Sequence, residues 1–302
     1  MAFVICDLLI VLVLLDVLRR NQQGAHLVLA FAWNPLLAIE VAGSGHIDIV
    51  GALLLLVSAA ALGRRWRTAA AVTFGLAVAV KFLPIVLLPL YWKRVRIRDA
   101  ALAVVIVGLL YLPFLSHGGI PTGSLGTYVQ SFRFNGPVFA ALAHVAPPQL
   151  LAGLAVLAGL VTATWLRSTS SEELQEGLLL NPASKKTLTT EATEFPLYNP
   201  VPSVVQAFEF AWPMAAALFC APAIFPWYFL WLLPFLTSAS MWLIVVWTVS
   251  IIPVYVQWHL SALSHSWGAL PGWVMLLEYG CVAITAAIIW FRRTRPPNSN
   301  EV

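Results

Sequence analysis

Long apolar runs separated by short polar breaks follow one another along most of the chain. Most of these runs are close to the roughly 20 residues that a helix needs to cross a bilayer. The pattern predicts an all-α fold, a polytopic bundle of about 9–11 membrane segments that forms one integral membrane domain over residues 1–302. The runs lie at about 2–18, 26–42, 47–63, 68–92, 100–116, 149–166, 204–221, 226–240, 241–257 and 272–290.

The run at 68–92 has basic residues at both ends, which a single crossing cannot place on the same side. Basic loops beside membrane spans favour the cytoplasm. Two short limbs, about 69–80 outward and 82–92 back, put both ends there and leave Lys81 at the turn. Limbs of this length cannot span a bilayer alone, so they predict a broken hairpin packed inside the protein. The alternative is one long helix with Lys81 buried and one basic cluster outside.

The same rule orients the whole chain. With the hairpin in place, every Lys and Arg except Lys81 and Arg133 faces the cytoplasm. The N-terminus is then outside, the C-terminus is cytoplasmic, and the segments that mix polar and aromatic residues collect on the outer face. Function is therefore predicted on the outer face. The stretch 168–203 has no apolar periodicity and predicts a flexible cytoplasmic loop.

Composition supports a membrane protein and excludes several other classes. The chain is 60% hydrophobic and 10% charged, against about 25% charged residues in soluble domains. The net charge of +4 comes from short basic clusters beside apolar runs, so no nucleic-acid partner is predicted and membrane lipids are the expected surroundings. The cysteines and the other histidines have no metal-ligand spacing, so no metal centre is predicted from them. No nucleotide-binding loop is present, and a transferase on the outer face has no access to cytosolic nucleotide sugars or ATP, so its activated donor has to arrive on a lipid.

Glu40, His46 and Asp48 place two carboxylates and an imidazole within nine residues, between two apolar runs. Ionisable groups at a membrane boundary are costly, and by default they mark a functional site. These three side chains predict either the removal of a proton from a sugar hydroxyl or the binding of a divalent cation. The structural alternative is a helix end, in which Asp48 caps a helix that begins near Ile47. Both interpretations can hold for Asp48.

Lys81 and Arg133 are the two basic residues expected on the outer face. An ammonium between short apolar limbs can neutralise a phosphate at the membrane surface, and arginine is the better bidentate partner for phosphate or carboxylate. Both residues are therefore candidates for binding a donor phosphate. The alternatives are a lysine that reaches lipid headgroups and an arginine that pairs with them at the surface.

Aromatic residues cluster in the remaining outer segments. Tyr128 and Asn135 lie in one outer loop, and Trp227 and Tyr228 lie in a dense aromatic run. They predict a wall against a sugar ring or a polyprenyl chain, although aromatic residues at a boundary more often form an interfacial belt. Glu278 lies inside the final span and needs a partner that the sequence does not identify.

Several of these segments, in their order along the chain, are similar to the motifs of one enzyme family. The matching segments are Asn34-Pro35-Leu36 followed by Glu40, then Gly45-His46-x-Asp48, Gly75 to Pro84 around Val80-Lys81-Phe82, Tyr128 with Phe134-Asn135, Pro226-Trp227-Tyr228, and Leu277-Glu278-Tyr279. Together they resemble the GT-C superfamily of polytopic glycosyltransferases, and within it the bacterial mannosyltransferase-like branch.

The resemblance implies a specific chemistry and location. Such enzymes are inverting transferases that move a hexose, commonly mannose or glucose, from a polyprenyl-phosphate donor on the outer face of the bacterial plasma membrane. A cell-envelope glycan or glycolipid is the implied acceptor. An acidic residue in the first outer loop acts as general base, and a lysine or arginine near the membrane surface meets the donor phosphate. Lys81 is the position that looks like this cation.

One feature of this chain departs from the family pattern. Family members have an earlier transmembrane helix and a long outer loop that carries the catalytic acid, whereas this chain begins at what looks like a later helix. An N-terminally truncated enzyme is therefore expected. The alternatives are a non-catalytic fragment or relic of the family, and a transporter or lipid-binding membrane protein without chemistry.

Overall fold

The structure is a computed structural model that describes residues 1–117, 125–180, 207–238, 241–265 and 270–294. In these residues every regular element is helical, and the only β pairing is a single bridge between Phe134 and Ala223, so the predicted all-α class is confirmed. The α-helices are α1 Ala2–Arg20, α2 Leu29–Ala32, α3 Asp48–Gly63, α4 Arg67–Val80, α5 Leu88–Tyr91, α6 Ile97–Tyr111, α7 Leu125–Ser131, α8 Pro137–Leu142, α9 Pro148–Leu180, α10 Ala207–Phe219, α11 Trp242–Ser250, α12 Val256–Ser264 and α13 Gly272–Thr294. Short 3₁₀ segments cover Ala25–Val28, Leu83–Leu87, Leu112–His117, Pro226–Trp231, Leu233–Phe235 and Ile252–Tyr255, and Leu37–Gly43 is a π-helix.

The chain is an integral membrane protein. Four of the described helical segments are long and apolar enough to cross a bilayer, and a bent pair at 25–43 raises the number to five. Their outer faces expose large apolar side chains, such as Val104 at 72% and Leu276 at 76%, which lipid tails can cover. The four segments are Ile97–Leu115, Pro148–Thr169, Trp242–Ser264 and Gly272–Arg292.

The bent pair has a local cause in its sequence. Ala25–Ala32 and Leu37–Gly43 meet at 65° across a break that contains Asn34 and Pro35. Proline cannot continue a helix from the preceding residue, and the Asn34 side-chain oxygen accepts from the Leu36 amide at 3.1 Å. The Asn34 amide nitrogen donates to Thr248 Oγ1 at 2.8 Å, so the break is anchored to α11.

The hairpin predicted around Lys81 is present. Helix α4 ends at Val80, and Lys81 is extended, so the single long helix is excluded. The return limb, 83–91, is a 3₁₀ turn followed by the short helix α5, with Pro84 and Pro89 near the two starts. Arg67 at the start of α4 and Arg96 just before α6 line the same cleft, so the chain has returned to its starting end.

The aromatic run near 223–236 forms the centre of the bundle and is not an interfacial belt. Phe229, Trp231 and Phe235 are almost fully buried, and Tyr228 is 9% exposed. Because this segment is broken into short 3₁₀ turns that begin near Pro226 and Pro234, its side chains project in several directions and fill the space between the helices. The prediction of an interfacial belt is wrong, because local hydropathy does not distinguish aromatic residues buried between helices from aromatic residues at the membrane surface.

Helix α9 reaches further than the sequence indicates. The loop predicted at 168–203 begins inside this helix, which continues to Leu180. The segment Glu172 to Leu180 is rich in Glu, Gln and Leu, which have high helix propensity even without an apolar stripe. The rest of the predicted loop, 181–203, lies outside the described residues.

Gly51 gives the first testable prediction. It lies one turn along α3 from Asp48, and a Cβ at this position would overlap the indole ring of Trp231. We expect Gly51→Ala to lower the free energy of unfolding by about 1–3 kcal/mol, because an added methyl group in a packed core forces a shift. Thermal unfolding in detergent measures the change. Gly108→Ala is the matched control, since open space surrounds that position in α6, and equal stability of the two variants would contradict the packing.

Candidate functional site

An ion pair joins the two ends of the hairpin formed by α3 and α4. Lys81 Nζ donates to Asp48 Oδ1 at 2.6 Å, and its ammonium lies 3.5 Å from the centre of the Tyr228 ring. Trp231 Nε1 donates to the same carboxylate oxygen at 2.7 Å. A cation over an aromatic face is attracted by the negative ring surface, so Asp48 and Tyr228 hold Lys81 from two sides.

The backbone explains why Asp48 and Lys81 meet. Antiparallel packing of α3 and α4 brings the start of α3 to the end of α4, where Asp48 and Lys81 lie. The capping interpretation of Asp48 is not supported, because the N-cap residue is Ile47 and no side chain caps the helix. Asp48 is the first residue of α3, where the helix dipole favours a negative charge.

Glu40 and His46 form a second pair beside the first. Glu40 lies in the π-helix, an irregularity that often marks functional positions, and its carboxylate accepts a hydrogen bond from the Tyr255 hydroxyl. His46 Nε2 lies 3.1 Å from Glu40 Oε2. The imidazole stacks on Trp227 with the ring centres 4.5 Å apart. The turn between them is closed by the His46 amide, which donates to the Glu40 carbonyl at 2.9 Å.

Exposure differs between the acidic and basic members of the two pairs. The side chains of Glu40 and Asp48 are 1% and 8% exposed, whereas those of His46 and Lys81 are 30% and 28% exposed. A ligand that approaches the site therefore meets the imidazole and the ammonium, with a carboxylate behind each of them. This arrangement can bind an anion and accept a proton at adjacent positions.

Tyr128 extends the aromatic side of the site. Its ring centre lies 6.5 Å from that of Tyr228, and its hydroxyl donates to the Ala223 carbonyl at 2.8 Å. Burial raises the pKa of Tyr128 to about 12, so the hydroxyl stays protonated and remains a donor. The structure thus brings Tyr128, Trp227 and Tyr228 beside the Asp48–Lys81 and Glu40–His46 pairs.

Asn135 belongs to a separate cluster with Glu278. Asn135 Nδ2 and Trp247 Nε1 donate to the two oxygens of the Glu278 carboxylate, at 2.8 and 2.7 Å. The Tyr279 hydroxyl donates to the Asn135 carbonyl at 2.7 Å. Glu278 is fully buried, and the partners that the sequence does not identify are Asn135 and Trp247. The cluster ties α11 and α13 to the loop after α7.

Arg133 contacts neither the Asp48–Lys81 pair nor the Glu40–His46 pair. Its guanidinium donates to the carbonyls of Val129, Gln130 and Phe132, and it lies over the Phe139 ring. These contacts cover the carbonyl end of α7, where a cation complements the helix dipole. The structure therefore supports a role for Arg133 in holding α7 and gives no contact with Lys81.

Sequence reasoning missed two residues that hold the site together. Trp231 and Tyr255 each bind one carboxylate, and they lie 183 residues from Asp48 and 215 residues from Glu40, respectively. The available signal for Trp231 was its place in the same dense aromatic run as Trp227 and Tyr228. No local signal singles out Tyr255.

The Glu278 cluster gives a second prediction, which concerns stability. We expect Glu278→Ala to lower the free energy of unfolding by about 1–3 kcal/mol for each buried donor left without an acceptor, Trp247 Nε1 and Asn135 Nδ2. Glu278→Gln should cost less, because its side-chain oxygen still accepts from Trp247 and the Asn135 amide can turn to match. Thermal unfolding in detergent ranks the two variants. An alanine variant as stable as the glutamine variant would contradict this account.

The fold and the site define a helical integral membrane protein with two buried carboxylates, each beside a partly exposed basic side chain. In the described part of the chain, no three His, Cys, Asp or Glu residues converge to hold a metal ion. Comparisons with family models, curated proteins and solved structures found no match for this chain.

Proposed function

We propose that this protein is a membrane glycosyltransferase that moves a hexose of the mannose or glucose type from a polyprenyl-phosphate donor to a cell-envelope glycan or glycolipid. The reaction takes place on the outer side of the bacterial plasma membrane. The observation that carries the proposal is the Lys81 ammonium, held by Asp48 and Tyr228 beside the Glu40–His46 pair. The motif resemblance to GT-C glycosyltransferases supplies the substrate class.

In this proposal Lys81 stabilises the leaving group. An ammonium has three donors, and Lys81 gives one to Asp48, which leaves donors for a phosphate at its exposed side. Negative charge develops on the phosphate as the sugar departs, and a cation fixed at that point lowers the barrier. Asp48 and Trp231 are positioning residues, since they set where the ammonium lies.

His46 is the proposed base. Its Nε2 faces Glu40, so Nδ1 is left to accept the proton of the acceptor hydroxyl. The acceptor oxygen then bonds to the anomeric carbon from the side opposite the phosphate, and the carbon–oxygen bond to the phosphate breaks. The bonding electrons leave with polyprenyl phosphate, the proton stays on His46, and the anomeric centre inverts. Glu40, held by Tyr255, orients the imidazole and stabilises its positive charge.

The aromatic side chains complete the site. Trp227 lies flat against His46, and Tyr228 and Tyr128 continue the surface towards Ala223. Aromatic faces pack well against the apolar faces of sugar rings and against polyprenyl chains. Trp227 is stacked between His46 and Phe225, and Lys81 lies on the Tyr228 ring. These two rings therefore fix the imidazole and the ammonium, and their edges would exclude water from the reacting carbon.

The purified chain of residues 1–302 in proteoliposomes tests the function directly. We expect labelled product from a polyprenyl-phosphate hexose and an envelope glycolipid extract, and none from nucleotide sugars, because the proposed donor carries its sugar on a lipid phosphate that Lys81 meets at the membrane surface. Folded protein that forms no product with any lipid-linked hexose would overturn the proposal.

A further inference from the structure

A basic cleft lies at the opposite end of the α3–α4 hairpin from the Asp48–Lys81 pair. Helix α3 has 16 residues, so the two ends are about 24 Å apart. The cleft is open, has a volume of about 350 Å³ and lies where α4 and α6 begin. Its lining residues are Arg65, Arg67, Thr68, Arg96, Arg98 and Asp99.

The charge of the cleft is strongly positive. Four arginines and one aspartate line it, so the formal charges of the lining sum to +3. Asp99 is 5% exposed, and its carboxylate accepts a hydrogen bond from Thr68 Oγ1 at 2.6 Å. This carboxylate is therefore buried and already hydrogen-bonded. The arginines themselves are exposed. The neighbouring Arg64 differs, since it pairs with Asp16 and binds the Ala60 carbonyl.

Two helix N-termini add to this positive potential. Helix α4 begins at Arg67 and α6 at Ile97, and neither N-cap residue forms a side-chain hydrogen bond to the first turn. Free backbone N–H groups at a helix start attract anions. Arginine in the first turn opposes the helix dipole, and Asp99, the carboxylate that joins the two helix starts, offsets only part of the positive charge there.

The cleft also lies at the level of lipid headgroups. Trp66 and Trp92, which flank the two basic loops, are 63% and 66% exposed, and tryptophan favours the membrane–water interface. The candidate span Ile97–Leu115 begins beside the cleft. A phosphate carried by a lipid would therefore reach the arginines while its chains run along α6.

We propose that this cleft binds the phosphate group of an anionic phospholipid, and that it is a site separate from the one around Lys81. The arginines surround the phosphate at the starts of α4 and α6, and the acyl chains lie against the exposed apolar face of α6. The sequence places these basic loops on the cytoplasmic side, where anionic lipids attract basic residues.

Native mass spectrometry of the detergent-solubilised full chain tests this site with phosphatidylglycerol as the probe. We expect the double variant Arg67→Gln/Arg98→Gln to bind it about tenfold more weakly than the wild type, since each arginine near a membrane surface contributes modestly to the attraction. The matched control is Arg19→Gln/Arg292→Gln, which removes the same charge from exposed positions outside the cleft. Zwitterionic phosphatidylcholine should bind both double variants equally.

The outcomes separate the lipid from other sources of phosphate. The proposal is supported if only the cleft variant loses phosphatidylglycerol binding and if inorganic phosphate displaces this lipid from the wild type only at high concentrations. Equal loss in both double variants would overturn it, because general charge would then explain binding. Binding of inorganic phosphate without binding of phosphatidylglycerol would overturn the lipid as the source. Thermal unfolding checks that the cleft variant is folded. We expect it to be, because removing a positive charge from the first turn of a helix is favourable to the helix dipole.

Discussion

Lys81→Ala is expected to lower kcat for sugar transfer by about a hundred- to a thousandfold, because it removes the cation that meets charge developing on the departing phosphate. It also leaves the Asp48 carboxylate, 8% exposed, without its ion-pair partner. Breaking a buried pair by removing one partner is destabilising by about 3–5 kcal/mol. The activity assay therefore needs a variant that lacks the Lys81 charge but keeps the stability of the wild type.

Lys81→Met combined with Asp48→Asn provides that separation. Both side chains keep their approximate size and lose their charge, and the new asparagine can still accept from Trp231 Nε1. We expect thermal stability close to that of the wild type and transfer as weak as in Lys81→Ala. Asp48→Asn alone should reduce transfer less, because the ammonium remains. Wild-type turnover by the folded double variant would exclude Lys81 from the reaction.

His46→Ala is the second variant with a large expected effect. Loss of a general base lowers kcat by about 10²- to 10⁴-fold, and the donor KM should change little because Lys81 is untouched. Glu40→Gln should lower kcat by a smaller factor, since the imidazole remains but loses the charge that stabilises it. The separation of kcat from KM distinguishes a base from a residue that holds the donor.

Tyr255→Phe is the control for this second pair. It removes the hydrogen bond to Glu40 and leaves the ring that packs near Trp258. We expect a modest loss of kcat with the fold intact. If His46→Ala and Tyr255→Phe lower kcat by the same small factor while both stay folded, His46 does not accept the proton.

Much of the site could be predicted because its strongest members are close in sequence. Glu40, His46 and Asp48 lie in one turn between apolar runs, and the conflict between basic clusters predicted a turn at Lys81. Once α3 and α4 form a hairpin, Asp48 and Lys81 have to meet at its end. The positive-inside rule thus predicted the turn at Lys81, and the contact with Asp48 follows only when α3 and α4 are packed together.

The rest of the site depends on packing between distant segments. Trp231 reaches Asp48 because Gly51 leaves room for its ring, and this fit is visible only when both helices are placed. The Glu278 partners come from a loop and a helix far away in the chain, Asn135 and Trp247. Local hydropathy could not tell a buried aromatic run from an interfacial belt, since both are apolar.

Arg133 shows the limit of an argument from charge alone. It was expected to bind a donor phosphate because it is basic and on the outer face, but the carbonyls at the end of α7 and the Phe139 ring already engage it. The left-handed backbone at Asn135, with φ of 56°, turns the chain away from α7 and towards Glu278. Sequence spacing contains no information on either contact.

The most direct test of the central claim is a paired measurement on wild-type proteoliposomes supplied with a labelled polyprenyl-phosphate hexose. Released polyprenyl phosphate and new glycosidic bonds are counted in the same sample, and the anomeric configuration of the product is determined. We expect one polyprenyl phosphate for each bond and inversion at the anomeric carbon. Label that crosses the membrane or stays bound, with no covalent product, would contradict the account and identify a transporter or a lipid-binding protein.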